Sequence, residues 1–463
     1  MSLTSALGIA QRSLQNTSRQ TSVVSRNIAE QGNADYTRRT AILASTGGSG
    51  ARVADIQRST SEVLFKQNLA ALSSASGQQA LLDGLNQLAT AVNGASNNAT
   101  VSAAFGDLQE ALALYSASPA NRTLALNAVE AARNLVSSLN NATQAVQTFR
   151  ADADKQMATA VGDLNTMLAE FQELNATIVN GTRLGTDVNE ALDRRDALLK
   201  QISEIVPVSA HKRADNDISL ITKDGITLFD KVPRKVAFTP TTVYDASLGG
   251  NPIYIDGVAL SQGRTAESPG TLGALLHLRD AVAPTMQNQL DDMARAVVTA
   301  FSEAGSTGLM NWAGSGTMAS AGFAGVIRND AAYDVNAGGN PELLRGAGTA
   351  ASDGTRIQAF ISRLDEPVAF SAASGLGTAA MSLGDFASSS VGWLEAQRRT
   401  ASGALETAGA LATRTAAALS NATGVNMDEE MALLLELEHS YQASARLIRA
   451  VDEMLTALLA AVN

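Results

Sequence analysis

Both ends of the chain carry a heptad pattern of the same kind. Near the N-terminus, Leu3, Leu7, Ala10, Leu14, Thr17, Thr21, Val24 and Ile28 alternate by four and three. Near the C-terminus, Leu434, Leu437, Tyr441, Ser444, Ile448, Val451, Leu455, Leu458 and Val462 alternate by three and four. Either spacing lays one apolar seam along a helix. Two such seams at opposite ends, with a polar middle between them, are expected to meet and pack as an assembly interface. The plainer alternative is a pair of ordinary amphipathic helices in one globular bundle.

The charges on the two segments fit a pairing. Up to Ala29 the only charged side chains are Arg12, Arg19 and Arg26, spaced by seven along one edge of the helix. Residues 425–463 carry Asp428, Glu429, Glu430, Glu436, Glu438, Asp452 and Glu453 against Arg446 and Arg449. A basic helix and an acidic helix are therefore expected to flank a shared interface. Exposed ion pairs contribute only about 0–1 kcal/mol each, so they would choose register more than supply stability.

A chain of 463 residues has room for two to four domains. Hydrophobic residues make up 45% of it and aromatic residues 4%, so its apolar content is mostly Ala, Leu and Val. Such a composition suits long, closely packed helices. The net charge is −11 with no basic run, which argues against nucleic acid and against an anionic membrane surface as partners. With no cysteine, disulfides and thiolate metal sites are excluded. No apolar run reaches the roughly 18 residues of a membrane span. The N-terminus lacks the features of a Sec-type signal peptide, so a secreted product is expected to leave the cell by another route.

Along the chain, helix is predicted from Leu3 to near Glu30, with a loop at Gly47-Gly48-Ser49-Gly50. Further helices are predicted from Ser59 to about Ala95, Val101 to Tyr115, Pro119 to Asn180 and Asn189 to Ile205. The Pro119–Asn180 run implies an elongated molecule, and Pro119 is placed in its first turn. After Pro207 the pattern changes. Asp217–Ile221 and Ile226–Phe229 alternate around Lys223-Asp224-Gly225, a β-hairpin signal. Arg234–Phe238 and Pro252–Ile255 add strands, and Asp256-Gly257 marks a second turn. Helix returns from Thr271 to Glu303 with an adjustment at Pro284.

Residues 305–388 read as a Gly/Ala/Ser-rich insert with short strands near Arg356–Leu364, and helix resumes from Ser389 with a break at Asn421–Asn426. The fold class is mainly α with a β-rich insertion. The terminal segments form an elongated helical bundle or coiled coil, with a small β lobe beside it. The segments are 1–58 (N-terminal assembly), 59–205 (long helical bundle), 206–270 (β-rich lobe), 271–304 (returning helix), 305–388 (insert) and 389–463 (C-terminal helices pairing with the N-terminus).

No catalytic, cofactor or metal site is expected. His211, His277 and His439 are widely spread and fit no metal-ligand spacing. Gly375-Leu376-Gly377-Thr378-Ala379-Ala380 fits a loose dinucleotide pattern but lacks a preceding strand sequence. Asp152/Asp154 and Asp291/Asp292 are carboxylate pairs on predicted helices, read as solvated faces. The chain is not expected to be an enzyme.

The segment after the first seam carries a recognisable motif. Asn27-Ile28-Ala29 followed by Asn33-Ala34-Asp35-Tyr36-Thr37-Arg38-Arg39 resembles the N-terminal signature of the flagellar axial proteins, the rod, hook and hook-associated subunits. That family reads Asn-Ile-Ala-Asn, then Asn-x-x-Gly-Tyr-Thr-Arg. Here Glu30 replaces the second Asn and Asp35 replaces the Gly. Three further stretches resemble the hook-associated branch: Leu192-Asp193-Arg194-Arg195-Asp196-Ala197-Leu198-Leu199, Gly270–Leu276 with Arg279-Asp280, and Gly424–Glu430 leading to Tyr441–Ala445.

The resemblance implies a secreted structural subunit, exported unfolded through the flagellar type III channel, that forms an adaptor ring between hook and filament. It implies terminal helices that order only on assembly. The implied partners are further copies of the chain, the hook protein, the next hook-associated junction protein on the filament side, and an export chaperone at the C-terminal helix. No cofactor is implied. The alternatives are another axial subunit, hook or flagellin-like, and a secreted coiled-coil scaffold or effector.

Overall fold

The computed structural model describes residues 3–45, 51–94, 100–260, 266, 268–303, 308–312 and 318–462, apart from the side chains of 461 and 462. The predicted loop at Gly47–Gly50 and the side chain of Val462 lie outside the described residues.

Helix α1 spans Leu3–Ala29 and ends in a turn at Glu30–Asn33. Strands β1 (Arg39–Ser45) and β2 (Ala51–Arg58) follow as an antiparallel hairpin that the sequence reading did not anticipate. Next come α2 (Glu62–Asn93) and α3 (Val101–Ala117); Thr100 caps α3 by accepting the Ala103 N–H. Helix α4 spans Arg122–Leu184, 63 residues without a break. Pro119 stands before it rather than in its first turn, and the Asn121 side chain accepts the Thr123 N–H. Helix α5 spans Asn189–Ile205, as expected.

Strands β3 (Val208–Lys212), β4 (Ile218–Thr222), β5 (Thr227–Asp230) and β6 (Val232–Pro233) form an antiparallel sheet in that order. The β4–β5 connection turns at Gly225, whose φ of 81° favours glycine. Strands β7 (Val236–Ala237), β8 (Tyr254–Ile255) and β9 (Val258–Ala259) form a separate sheet. Its β8–β9 turn has φ of 50° at Asp256 and 81° at Gly257, the positive pair that an Asp-Gly hairpin turn needs.

Helix α6 (Thr271–His277) passes through a π turn at Leu278–Val282 into α7 (Ala283–Phe301). The widened turn is the adjustment predicted at Pro284. A proline has no N–H to give the helix and its ring crowds the carbonyl four residues back.

The 305–388 insert departs from expectation. Short strands β10 (Met310–Trp312) and β11 (Ile327–Asn329) pair antiparallel, but the Arg356–Leu364 region is helix α8 (Thr355–Asp365), not strand. Ile357, Phe360 and Leu364 are its buried residues, at spacings of three and four. That is helical periodicity, and Phe360 packs on Phe301 with ring centroids 5.0 Å apart. Helix α9 starts at Leu383, earlier than predicted, and runs to Thr423; α10 spans Met427–Val462. No described helix is long and apolar enough to cross a membrane.

Contacts divide the chain into two compact units. One holds Met1–Ser73, Asn165–Arg234 and Ala408–Asn463. Its core includes Phe171 against Phe229, an edge-to-face pair at 4.9 Å, with Leu199, Ile202 and Leu220. The other unit holds Ser74–Leu164 and Lys235–Thr407, with a core of Leu88, Leu108, Leu139, Leu290 and Phe301.

In the second unit three of the four carboxylates read as solvated prove otherwise. Asp291 is fully buried; its oxygens accept the N–H groups of Gly322 and Ala324 at 2.8 and 2.9 Å and the Gln287 amide at 3.0 Å. Asp292 accepts the Ser371 N–H and an Arg295 guanidinium N–H. Burial pushes the Asp291 carboxyl up, partly offset by the Ala324 and Gly322 amides. A segment of Gly, Ala and Ser has few side chains with which to bond its own amides, and α7 supplies the acceptors instead. Asp154 is likewise fully buried, whereas Asp152 bonds Lys155 near the surface.

Candidate assembly interface

Helix α1 packs along α10 in antiparallel sense. Ser13 Oγ lies 2.9 Å from Ser444 Oγ about midway along the pair, and Asn27 reaches Glu430 at its base. On α1, Ala10, Thr17 and Val24 are buried, while Leu3, Leu7, Leu14, Thr21 and Ile28 are half-buried. On α10, Leu437 and Val451 are buried, and Leu434, Ser444, Ile448 and Leu455 are half-buried.

Two seam positions are corrected. Tyr441 remains 45% exposed and Leu458 55% exposed. By the register of the Ser13–Ser444 and Asn27–Glu430 contacts, Tyr441 falls at the level of Asn16, a polar residue whose side chain bonds the β2 backbone at Ala51 and Val53. By the same register Leu458 lies past the level of Leu3, the first described residue of α1.

The charge pairing is corrected for Arg19 and Arg26. Arg12, Arg19 and Arg26 are all exposed. Spaced by seven, they lie on the side of α1 turned away from its seam. Among the described residues no ion pair joins Arg19 or Arg26 to α10.

The base of the pair is closed by a buried polar cluster. Asn27 Nδ2 donates to the Arg39 carbonyl at 2.9 Å and to Glu430 Oε2 at 3.0 Å. Its Oδ1 accepts the Tyr36 hydroxyl at 2.8 Å and the Arg39 N–H at 3.1 Å. All four hydrogen-bonding capacities of the amide are used. Glu430, 1% exposed, also accepts from Arg38 Nε at 2.6 Å. Arg38 extends to Glu429 at 3.1 Å, and its N–H donates to the Thr423 carbonyl at the α9–α10 corner. Burial pushes the Tyr36 hydroxyl pKa up, against the pull of Arg39.

The motif thus binds both ends of the chain at one point. Asn27, Tyr36 and Arg38 form the cluster together with Glu430. Thr37 accepts from Arg58, and Asn33 is exposed, holding the turn through Glu30 and the Asp35 N–H. At Asp35, where the axial family has Gly, φ is not positive, so a side chain is tolerated; its carboxylate pairs with Lys200 at 2.7 Å.

The Leu192–Leu199 motif supports the cluster from below. Asp193 Oδ2 accepts from Arg39 at 3.0 Å. Arg58 Nε lies 2.9 Å from Asp193 Oδ1, at an angle that makes an ion pair rather than a hydrogen bond. The same guanidinium binds Asp196. Asp193 and Asp196, three apart on one face of α5, therefore clamp the two ends of the β1–β2 hairpin. Burial pushes the Asp193 carboxyl up, opposed by Arg58, Arg39 and Thr37. Arg195, buried against Asn175 and the Asn216 carbonyl, is pulled down to about 10 by burial. Sequence reasoning places Glu430 on the acidic face of the C-terminal helix and Arg39, Asp193 and Glu430 within the motifs, but it names none of these contacts and gives Arg58 no role. The available signal was the spacing of Asp193 and Asp196 on one helical face.

The Gly270–Asp280 motif is structural in the second unit. Arg279, fully buried, donates to Asp154 at 2.8 Å, to the Asn251 carbonyl at 2.9 Å and, through two nitrogens, to Asp280 at 2.7 Å. Burial pulls its pKa down, but Asp280 and Asp154 more than offset that and hold it above the ordinary arginine value. A Cβ at Gly250 would stand 2.3 Å from the guanidinium carbon, so the glycine is needed for the close approach.

Residues 85–317 match the family described as flagellar hook-associated protein FlgK helical domain, and residues 418–461 match the flagellar basal body rod FlgEFG protein C-terminal family. Flagellar hook-associated protein 1 of Escherichia coli is 24% identical over 340 residues, covering 69% of this chain and 58% of that protein. The protein of the same description from Salmonella typhimurium is 26% identical over 298 residues, covering 60% and 52%. That from Bacillus subtilis is 24% identical over 360 residues, covering 68% and 67%. The chain spans little more than half the length of the Escherichia coli and Salmonella relatives. A solved structure titled as the flagellar hook junction protein FlgK from Burkholderia pseudomallei aligns with 54% of this chain and 47% of its own, at 19% identity and a TM-score of 0.45.

Proposed function

The chain belongs to the flagellar hook-associated protein FlgK family, and on that premise we propose that it is a structural subunit of the bacterial flagellum, an adaptor ring joining hook to filament. The observation that carries this reading is the FlgK helical-domain match over residues 85–317. The antiparallel α1–α10 pair, closed at its base by Asn27 and Glu430, supports it as the part through which subunits assemble.

In this reading the partners are other copies of the chain in a helical ring, the hook protein on one side and the next hook-associated protein on the other. An export chaperone engages the C-terminal helix before secretion. The protein acts outside the cell, on the flagellum, and reaches it by the type III route. No step of chemistry is assigned to it.

Electron microscopy of cells lacking the protein tests the role. Bare hooks, with flagellin lost to the medium, are expected. Normal filaments would remove the junction role, and loss of hooks as well would make it a rod or hook subunit.

A point test uses the seam. Leu437 is buried against α1 and Ile448 half-buried. Replacing both with Asp places two carboxylates in a seam with no cation opposite, at a cost of several kcal/mol. Incorporation into flagella is expected to be abolished while the purified variant keeps the helical circular dichroism of its other regions. Normal incorporation would show that the seam does not govern assembly.

A further inference from the structure

The β1–β2 hairpin is attached in two directions. On α1, Asn16 donates its amide N–H to the Ala51 carbonyl and accepts the Val53 N–H at 3.0 Å. Asn27 does the same with the carbonyl and the N–H of Arg39, at 2.9 and 3.1 Å. The two asparagines are eleven residues apart, about three turns, so they share one face of α1. Each amide offers a donor and an acceptor side by side, as a peptide group does, and each grips main chain rather than a side chain.

In the other direction the hairpin base is tied to α5. The Arg39 guanidinium bonds Asp193 at 3.0 Å, Arg58 pairs with Asp193 and Asp196, and the Asn189 amide donates to the Ile56 carbonyl at 2.8 Å. Helix α5 is itself firmly seated, with Leu198, Leu199 and Ile202 buried and Arg195 bonded to Asn175 of α4.

Among the described residues neither Asn27 nor Glu430 bonds to α5. They reach it through the Arg38-Arg39 dipeptide. The Arg39 side chain is held by Asp193 and its main chain fills the Asn27 amide, which passes a hydrogen to Glu430 on α10. Arg38 closes the chain by bonding Glu430 and, through its N–H, the Thr423 carbonyl. Asp193, Arg39, Asn27 and Glu430 are all less than 10% exposed, so bulk water does not take the place of a lost partner.

We infer that the hairpin is a coupling device, in which Asp193 on α5 acts as a positioning residue for the base of the α1–α10 pair through the main chain of Arg39. The terminal helices close at their base only when the hairpin is seated on α5. The device acts within one copy and does not depend on the subunit role.

Hydrogen exchange of the purified full chain tests it. Asp193→Asn keeps the shape of the side chain and removes its charge. Amides of Val24–Ala29 and Glu430–Leu434 are expected to exchange roughly tenfold faster, although Asp193 bonds neither segment, while those of α5 and β4 stay within about twofold of the unaltered chain. Asn27→Ala is expected to speed the same terminal amides. Because Asp193 acts through Asn27, the double variant is expected to fall short of the product of the two single effects by about fivefold or more. Terminal amides unmoved by Asp193→Asn, or single effects that multiply in full, would overturn the inference.

Arg39→Met is the second variant. It leaves Arg58 paired with Asp193 and Asp196 and cuts only the link to the Arg39 main chain. It decides the matter where Asp193→Asn also loosens α5. Faster terminal exchange with α5 still protected is the expected result. Terminal amides unmoved in Arg39→Met, or α5 loosened in both variants, would show that the network holds the unit as a whole and would overturn the coupling.

Discussion

Replacing Arg279 with leucine is expected to destabilise the protein by about 3–5 kcal/mol, the cost of leaving a buried charge without its partner. Asp154 would keep the Thr241 N–H at 2.7 Å and the Tyr244 hydroxyl at 3.0 Å, but no cation would remain in contact with a carboxylate that is fully buried. The Asn251 carbonyl and Asp280 would each lose their bonds to the guanidinium. A double change, Arg279→Leu with Asp154→Leu, is expected to recover most of the loss, because removing both charges removes the uncompensated one. Urea denaturation followed by circular dichroism reads both variants. A single change costing under about 1 kcal/mol would mean that water or a rearranged side chain reaches Asp154. The expected split between single and double variants separates the charge from the packing of the long side chain.

Replacing Asn27 with aspartate changes one atom group and is expected to open the base of the α1–α10 pair at neutral pH. The amide nitrogen that donates to the Arg39 carbonyl and to Glu430 becomes an oxygen facing two acceptors. The cost is about 3 kcal/mol or more, because a buried acceptor is left facing a charge. The effect has a defined pH dependence. Two facing carboxylates cannot both ionise cheaply, so one of them in the folded protein has a pKa raised above its unfolded value. The folded state then holds the extra proton, and the destabilisation relative to the unaltered chain is largest at pH above that raised value. It shrinks as pH falls through it, when the shared proton restores a donor between residues 27 and 430. Protease protection of the terminal helices, compared at about pH 7 and about pH 5, measures it. A variant equally protected at both, and equal to the unaltered chain, would show that Asn27 does not hold the two ends together.

The helices were legible because their signal is local. The Asn189–Ile205 helix, the long run inside Arg122–Leu184 and the break between α9 and α10 follow from apolar spacing and from Pro, Gly and Asn as breakers. Arg356–Leu364 reads as strand in its Gly- and Ala-rich setting, although Ile357, Phe360 and Leu364 hold helical spacing. The β1–β2 hairpin escaped because its strands alternate weakly and are held from outside, by Asp193 and Asp196 on a helix more than 130 residues away. The same distance explains the carboxylates. Asp154, Asp291 and Asp292 look like exposed helical acids when read along the chain, and only folding brings the Arg279 guanidinium or the amides of a Gly-rich segment to them.

By itself the sequence determined the helices, their two terminal seams and the family motifs, since periodicity and breakers act over a few residues. Tertiary structure alone decided which polar groups are paired. Asn27 meets Glu430 across 403 positions, while the Arg19 and Arg26 side chains, counted in advance as partners of α10, face away from it. A buried amide or carboxylate must find its partner wherever the fold provides one, and no local pattern records where that is.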